Sequence, residues 1–273
     1  MAPLNVGLMG YGFSTKSFHL PFILPNPDLN VYAFLQRAEA PSNPSGVEPG
    51  KHCTVDYPKA KHYRTPDDGW TSPDYEPGNG MLYGLGSHTI DQALLLFGRP
   101  KSVTAFYRSL RGVESKTDDT FTVILQYGGE LKHLVVTVKT TVVSPMKLPL
   151  KFLVRGYKGS FVKYGEDLQE SQVAKGMKAT DSGFGIEDSE SYGVLTTTEE
   201  FDGKSQKQDE ASGRFVGSYP SEKGDYVGFY TDLVAAIHGK GELKVKPEQS
   251  RDGIRIIELA RESADKGVTV PFS

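Results

Sequence analysis

From residue 87 onward the apolar residues Ile90, Ala93, Leu94 and Phe97 recur at i, i+3, i+4 and i+7, the stripe that one face of an α-helix buries. The spacing predicts a helix from Ser87 to Phe97, stopped by Gly98 as a left-handed cap and by Pro100 two residues later. His88, Asp91 and Gln92 share its polar face. Earlier, LNVGLM at 4–9 and NVYAFLQ at 30–36 are short continuous apolar runs, the pattern of buried parallel strands. After residue 100 the period becomes two, in Val103, Ala105 and Tyr107, then in Phe121, Val123, Leu125 and Tyr127, then from Leu131 to Val143. Leu150 to Arg155 and Ser160 to Tyr164, joined by Gly156 to Gly159, add a hairpin. Alternation of this kind predicts antiparallel strands whose sheet packs helices on one face and leaves the other for solvent or a second subunit.

Other stretches break the pattern. Residues 38–50, AEAPSNPSGVEPG, replace an expected crossover helix with a loop, residues 165–200 read as a polar, glycine-rich excursion loop, and 202–214 as a charged hairpin tip. Phe229, Leu233, Ala236 and Ile237 mark a helix ended by Gly239, with His238 in a capping position. Pro247 opens a last helix whose Ile256, Leu259 and Ala260 face the core before Gly267. The fold class expected is α/β plus α+β: a truncated dinucleotide-binding unit over residues 1–70, followed by an antiparallel-sheet α+β domain over 71–273.

Composition narrows the function classes. The chain has 273 residues, enough for two domains, and a formal net charge of -3 from 31 basic and 34 acidic residues, so no global field recruits nucleic acid or an anionic membrane. No run of eighteen apolar residues and no basic leader with a cleavage site occur, which points to a cytoplasmic protein. The single cysteine, Cys53, excludes an internal disulfide and a multi-cysteine zinc site, and no metal site is expected. A small-molecule substrate is the expected partner.

The chemistry-bearing turn follows the first strand. Gly10-Tyr11-Gly12-Phe13-Ser14-Thr15 has the spacing G-x-G-x-x-T. Gly10 suits a tight turn, Gly12 lets the backbone approach a pyrophosphate, and the amides of Phe13, Ser14 and Thr15 would hold its charge. Thr15 stands in the third glycine's place, which mainly serves close packing of helix on strand. After the second strand, where an acid would bind a ribose 2′-hydroxyl, Gln36 and Arg37 occur instead. Arg37 suits a 2′-phosphate and so NADP; it reads equally as an exposed arginine at a strand end.

These motifs resemble the glucose-fructose oxidoreductase and inositol dehydrogenase family, Gfo/Idh/MocA. GYGFSTKSFHLPFI is similar to an opening in which the turn runs into F-H-x-P, and MLYGLGSHTIDQA to the helix that opens the family's second domain, close to G-x-L-Y-D-L-G-S-H-x-I-D-Q-A. The segment from Gly165 to Glu187 matches the form G-x-D-x-Q-E-x-Q…G-x-G-x-E, and the two C-terminal helices are similar as well. The resemblance implies a Rossmann domain, a nicotinamide cofactor, His88 as the catalytic histidine, and a sheet that makes a homodimer contact. Two departures stand beside it. The family's aspartate is Gly84, and between Asp68 and Gly78 only nine residues, GWTSPDYEP, occupy the place of the second half of the Rossmann domain with its E-K-P lysine.

Function is therefore expected to be oxidoreductase-like, related to NADP-dependent dehydrogenases of sugar-like or polyol hydroxyls. Without the lysine and aspartate, hydride transfer loses the groups that orient and polarise the hydroxyl. The alternatives are a non-redox isomerase or dehydratase using His88 as a lone acid/base, a retired binding or regulatory protein, and an omitted coding segment. His88 itself reads either as that acid/base or as a structural surface histidine.

Overall fold

The computed structural model of the protein describes residues 2–36, 51–54, 75, 78–110 and 114–273. In chain order its elements are β1 (Leu4–Met9), a π-helical turn (Thr15–His19), α1 (Leu20–Ile23), β2 (Leu29–Gln36), β3 (Lys51–Thr54), α2 (Met81–Gly84), α3 (Gly86–Phe97), β4 (Ser102–Arg108), β5 (Thr120–Gln126) and β6 (Val135–Thr141). There follow β7 (Leu150–Arg155), β8 (Gly159–Tyr164), α4 (Leu168–Ala174), β9 (Gly193–Thr197), β10 (Gln206–Gln208), β11 (Phe215–Tyr219), α5 (Tyr226–Ile237), α6 (Pro247–Lys266) and β12 (Val270–Pro271). By their contacts the residues gather into two compact units, 1–57 with 146–244, and 58–145 with 245–273. The division expected at residue 70 falls outside the described residues, as does the expected 38–50 loop.

The first unit holds a parallel sheet in the order β1-β2-β3 and an antiparallel one in the order β10-β11-β9-β8-β7. The third parallel strand is KHCT, Lys51–Thr54, whereas the family resemblance places it in DYPKAKHYRTPDD, residues 56–68, which lie outside the described residues. Three parallel strands cannot bury their own apolar side chains, and among the described residues the short helical stretch from the π-helical turn through α1 does not suffice to cover them. Here the cover comes from far along the chain. Phe22 and Phe34 are fully buried, together with Leu20, Ile23 and Val31, against Phe184 and Tyr230. Phe22 meets the rings of Phe184 and Tyr226 at 6.0 and 5.4 Å between centroids, in the tilted and edge-on arrangements aromatic rings prefer.

Residues 165–200 are thus more than the loop that polarity predicted, since they contain α4 and β9 as well as Phe184. β9 lies inside its sheet, between β8 and β11. Its strand signal is weak because it opens on Gly193, where a Cβ would meet the Phe161 ring at 2.1 Å. Only glycine allows that approach, and it removes an apolar position from the pattern.

The segment is held by its own polar residues. Asp167 caps α4 by accepting from the Gln169 amide at 2.9 Å, and buried Gln169 accepts from the Tyr226 amide at 3.0 Å at the start of α5. Gln172 accepts from the Gly185 amide at 2.8 Å and donates to the Gly183 carbonyl at 3.3 Å. Buried Lys163 of β8 donates to both Glu187 oxygens, at 2.9 and 2.8 Å, and to the Ser191 carbonyl at 2.6 Å.

The second unit is a four-stranded antiparallel sheet, β12-β4-β5-β6, with α2, α3 and α6 packed on it. The alternating residues Val103, Ala105, Phe121, Val123 and Leu125 are buried with Ile90, Ala93, Ile256, Leu259 and Ala260, as the periodicities predict. Gly98 ends α3 at φ 70 and ψ -160, a positive φ as expected but extended rather than left-handed helical. No helix among the described residues is long and apolar enough to cross a membrane.

Phe22→Ala is expected to lower unfolding free energy by about 3–5 kcal/mol, because the cavity opens between the parallel sheet and its cover. Phe201→Ala, at a side chain 75% exposed, should stay within about 0.5 kcal/mol in the same urea titration.

Candidate functional site

The expected cofactor turn forms as one local structure. Gly10 adopts φ 86, a conformation that costs a residue with a Cβ, and its amide donates to the Leu35 carbonyl of β2 at 2.7 Å. Around Gly10 and Gly12 a Cβ would meet nothing within 4 Å among the described residues, which leaves this backbone accessible to a ligand from their side. Thr15 is buried, and its hydroxyl donates to the Gly10 carbonyl at 3.0 Å. The residue that replaces the third glycine therefore closes the turn with a side-chain bond as well as by packing. Phe13 and Ser14 are exposed beside it. Arg37 lies outside the described residues.

The F-H-x-P continuation has a structural use that its sequence did not reveal. His19 Nδ1 and the Tyr230 hydroxyl lie 2.6 Å apart, tying the helix after the turn to α5. Burial lowers the His19 pKa below 6.5 and pushes the Tyr230 phenol up to about 12, so at neutral pH both partners are uncharged. A buried tyrosine needs a hydrogen-bond partner. That requirement was the available signal, but the 211 residues between the two hid their pairing.

His88 belongs to the other unit, exposed on α3 with Asp91, while Gln92 is half-buried. Among the described residues its ring has no hydrogen-bond partner and no group of three metal-ligating side chains forms. Gly84, in the place of the family's aspartate, ends α2.

The glycine-rich approach to this helix is held by a buried ion pair. Asp118 is 1% exposed; it accepts from the Leu82 amide at 2.7 Å and from Arg261 Nη2, while its own carbonyl accepts from the Met81 amide at 2.9 Å. A Cβ on Gly80, whose φ is 94, would fall 2.2 Å from the Asp118 carboxylate. Arg261 also donates to the Asn79 carbonyl at 3.3 Å, and its guanidinium stands 3.9 Å from the Tyr75 ring centre and 4.9 Å from that of Tyr107. Burial, then the bond to Tyr83, pushes the Tyr75 phenol well above the ordinary tyrosine range. The sequence carried one sign of this cluster, an arginine four residues after Ile257 on the buried stripe of α6.

Comparison with known proteins fits this architecture. Residues 51–272 match the family described as "Oxidoreductase family, C-terminal alpha/beta domain" of Gfo/Idh/MocA type, and the chain belongs to that family. It is 36% identical over 191 residues to the scyllo-inositol 2-dehydrogenase (NADP(+)) IolW of Bacillus subtilis, a match covering 70% of this chain and 49% of that one. To an uncharacterized oxidoreductase of Schizosaccharomyces pombe it is 35% identical over 203 residues, covering 72% of this chain and 53% of the relative. Each match thus takes in only about half of the curated relative's length. The solved structure of yvaA from Bacillus subtilis shares the fold, with a TM-score of 0.78 at 22% identity over 100% of this chain and 99% of the other.

Because the folded state holds His19 neutral, stability should be complete above pH 6.5 and fall as the pH drops from 6.5 through the depressed folded value. In thermal melts His19→Gln is expected to lose stability overall, yet to show a flatter dependence than wild type between about pH 6.5 and 5.5.

Proposed function

We propose that the chain is an oxidoreductase-type protein related to NADP-dependent dehydrogenases of sugar-like or polyol hydroxyls. In this reading it works in the cytoplasm and keeps the adenosine half of its dinucleotide site. The observation that carries it is the open glycine turn at the end of a parallel strand, with Gly10 at φ 86 and Thr15 pinning the Gly10 carbonyl. This cradle suits a pyrophosphate, which needs close backbone approach and exposed amides. Gly10, Gly12 and the amides of Phe13, Ser14 and Thr15 would hold it, and Arg37 a ribose 2′-phosphate. When bound, NADP supplies redox chemistry at its nicotinamide ring. His88, as a neutral imidazole, would take the proton of a substrate hydroxyl. The name of IolW, an NADP-dependent inositol dehydrogenase, supports the cofactor and the polyol class.

A specific observation favours a second reading. Nine residues stand where the E-K-P half of the Rossmann domain is expected, and Gly84 stands where the aspartate is expected. The matched stretches cover 72% and 70% of this chain but only 53% and 49% of the two relatives, which supports an internal shortening. On this view His88 serves non-redox acid/base chemistry, or the protein binds without turnover.

Calorimetric titration with NADPH and NADH separates the readings. Weak binding that favours NADPH is expected; micromolar or tighter binding would mean that the missing half of the site is supplied some other way, and equal, undetectable binding of both would remove the cofactor site. His88→Ala should abolish turnover of a polyol without moving the melting temperature; unchanged turnover with a lower melting temperature would make His88 structural.

The same reading includes a homodimer through the five-stranded sheet. Leu153, Val162 and Val194 lie side by side across β7, β8 and β9, with Leu153 49% and Val194 38% exposed. A charge inserted into such a contact is unpaired and costly. Leu153→Glu should therefore convert a dimer to a monomer in sedimentation velocity, and a wild-type monomer would overturn the assignment.

A further inference from the structure

Beside the glycine turn stands a charged side chain that the motif does not require. Lys16 sits one helical turn beyond Gly12, its amide donating to the Gly12 carbonyl at 3.3 Å. Its ammonium lies 4.7 Å from the centre of the Tyr11 ring, a cation–π distance. Tyr11, between the two glycines, is itself fixed by an edge-on contact with fully buried Phe34 of β2, 5.3 Å between centroids at 83°. Phe34, Tyr11 and Lys16 thus form a stack that holds a positive charge at the turn, while a free lysine would spread it through solvent. Among the described residues no carboxylate pairs with Lys16, although exposed Lys158, Lys244 and Lys266 each have one. Among the described residues nothing crowds the neighbouring backbone at Gly10 and Gly12.

We propose that Lys16, braced on Tyr11, is a binding residue for the pyrophosphate of the dinucleotide. The inference rests on the dinucleotide reading above and adds a full side-chain charge to a cradle made of backbone amides. A diphosphate offers several acceptor oxygens, and a charge-assisted bond from an ammonium is about twice as strong as one from a neutral donor. The position one turn beyond Gly12 ties the charge to the turn after β1, whereas 2′-phosphate recognition falls at the end of β2, the place of Arg37.

Calorimetry on the full chain with NADPH, NADH and ADP tests this, since all three carry the diphosphate and only NADPH carries the 2′-phosphate. Lys16→Gln is expected to weaken all three by a similar factor, roughly tenfold, and to reduce the salt dependence of binding. Lys16→Arg, which keeps the charge, and Tyr11→Phe, which keeps the ring, should bind close to wild type. Unchanged affinities in Lys16→Gln would overturn the inference and leave the dinucleotide reading standing. A loss confined to NADPH would overturn the pyrophosphate assignment in favour of the 2′-phosphate. Wild-type protein that binds none of the three would refute the dinucleotide reading and the inference together.

Discussion

The Asp118–Arg261 pair is the interaction on which the His88 unit depends. Two full charges buried among apolar side chains are tolerated only when each is paired and most of its remaining bonds are met. Here the carboxylate is met by Arg261 and the Leu82 amide, and one end of the guanidinium by Asp118 and the Asn79 carbonyl, with tyrosine rings against its face, while the buried Arg261 Nε has no hydrogen-bond partner among the described residues. Because its partners come from the stretch before α2, from the stretch before β5 and from α6, the pair joins three parts of the sequence at one point. It also explains why Gly80 is a glycine: the carboxylate occupies the space of a side chain. The start of the helix bearing His88 is thereby placed by charge pairing and by the close approach of Gly86 to Leu82 and Phe121.

In the other unit the governing constraint is area. Among the described residues, three parallel strands and a single helical stretch leave aromatic side chains that need cover, and Phe184, Tyr226 and Tyr230 provide it. The polar motif that runs from Asp167 to Glu187 acts as the latch for that cover. Each of its named residues has a structural duty: Asp167 caps, Gln169 reaches α5, Gln172 holds the glycine turn, and Glu187 neutralises Lys163. Burial by itself would raise the Glu187 pKa, but its bonds to Lys163 and the Ser221 amide hold it below the ordinary range. A segment that reads as an excursion loop is here the means by which a small sheet is kept folded. Through His19 and Tyr230 the same cover reaches the helix that follows the cofactor turn.

The two candidate chemistries differ in how completely the chain provides for them. The glycine turn has its required backbone conformation, its Thr15 closure and an open approach. His88 has exposure and a firmly placed helix, but Gly84 leaves it without the carboxylate that the family's pattern sets one helical turn earlier. A neutral imidazole can move a proton unaided, whereas an oriented hydroxyl needs further partners.

By itself the sequence determined the elements whose period or punctuation is local. The helix through Ile90 and Ala93, the alternating strands around Val103 and Val123, the Gly10 turn and the helix opened by Pro247 each carry their signal within a few residues, because burial of one face imposes that spacing directly. Only the tertiary structure decided the rest. β9 was hidden because Gly193 gives up its side chain to let Phe161 approach, a demand made by another strand. The pairings of Asp118 with Arg261 and of His19 with Tyr230 span 143 and 211 residues, and nothing in the spacing of one partner specifies the other. Which segment covers the parallel sheet was likewise undecided in the sequence, since any apolar surface of suitable shape satisfies the hydrophobic effect and only packing selects Phe184 and Tyr230.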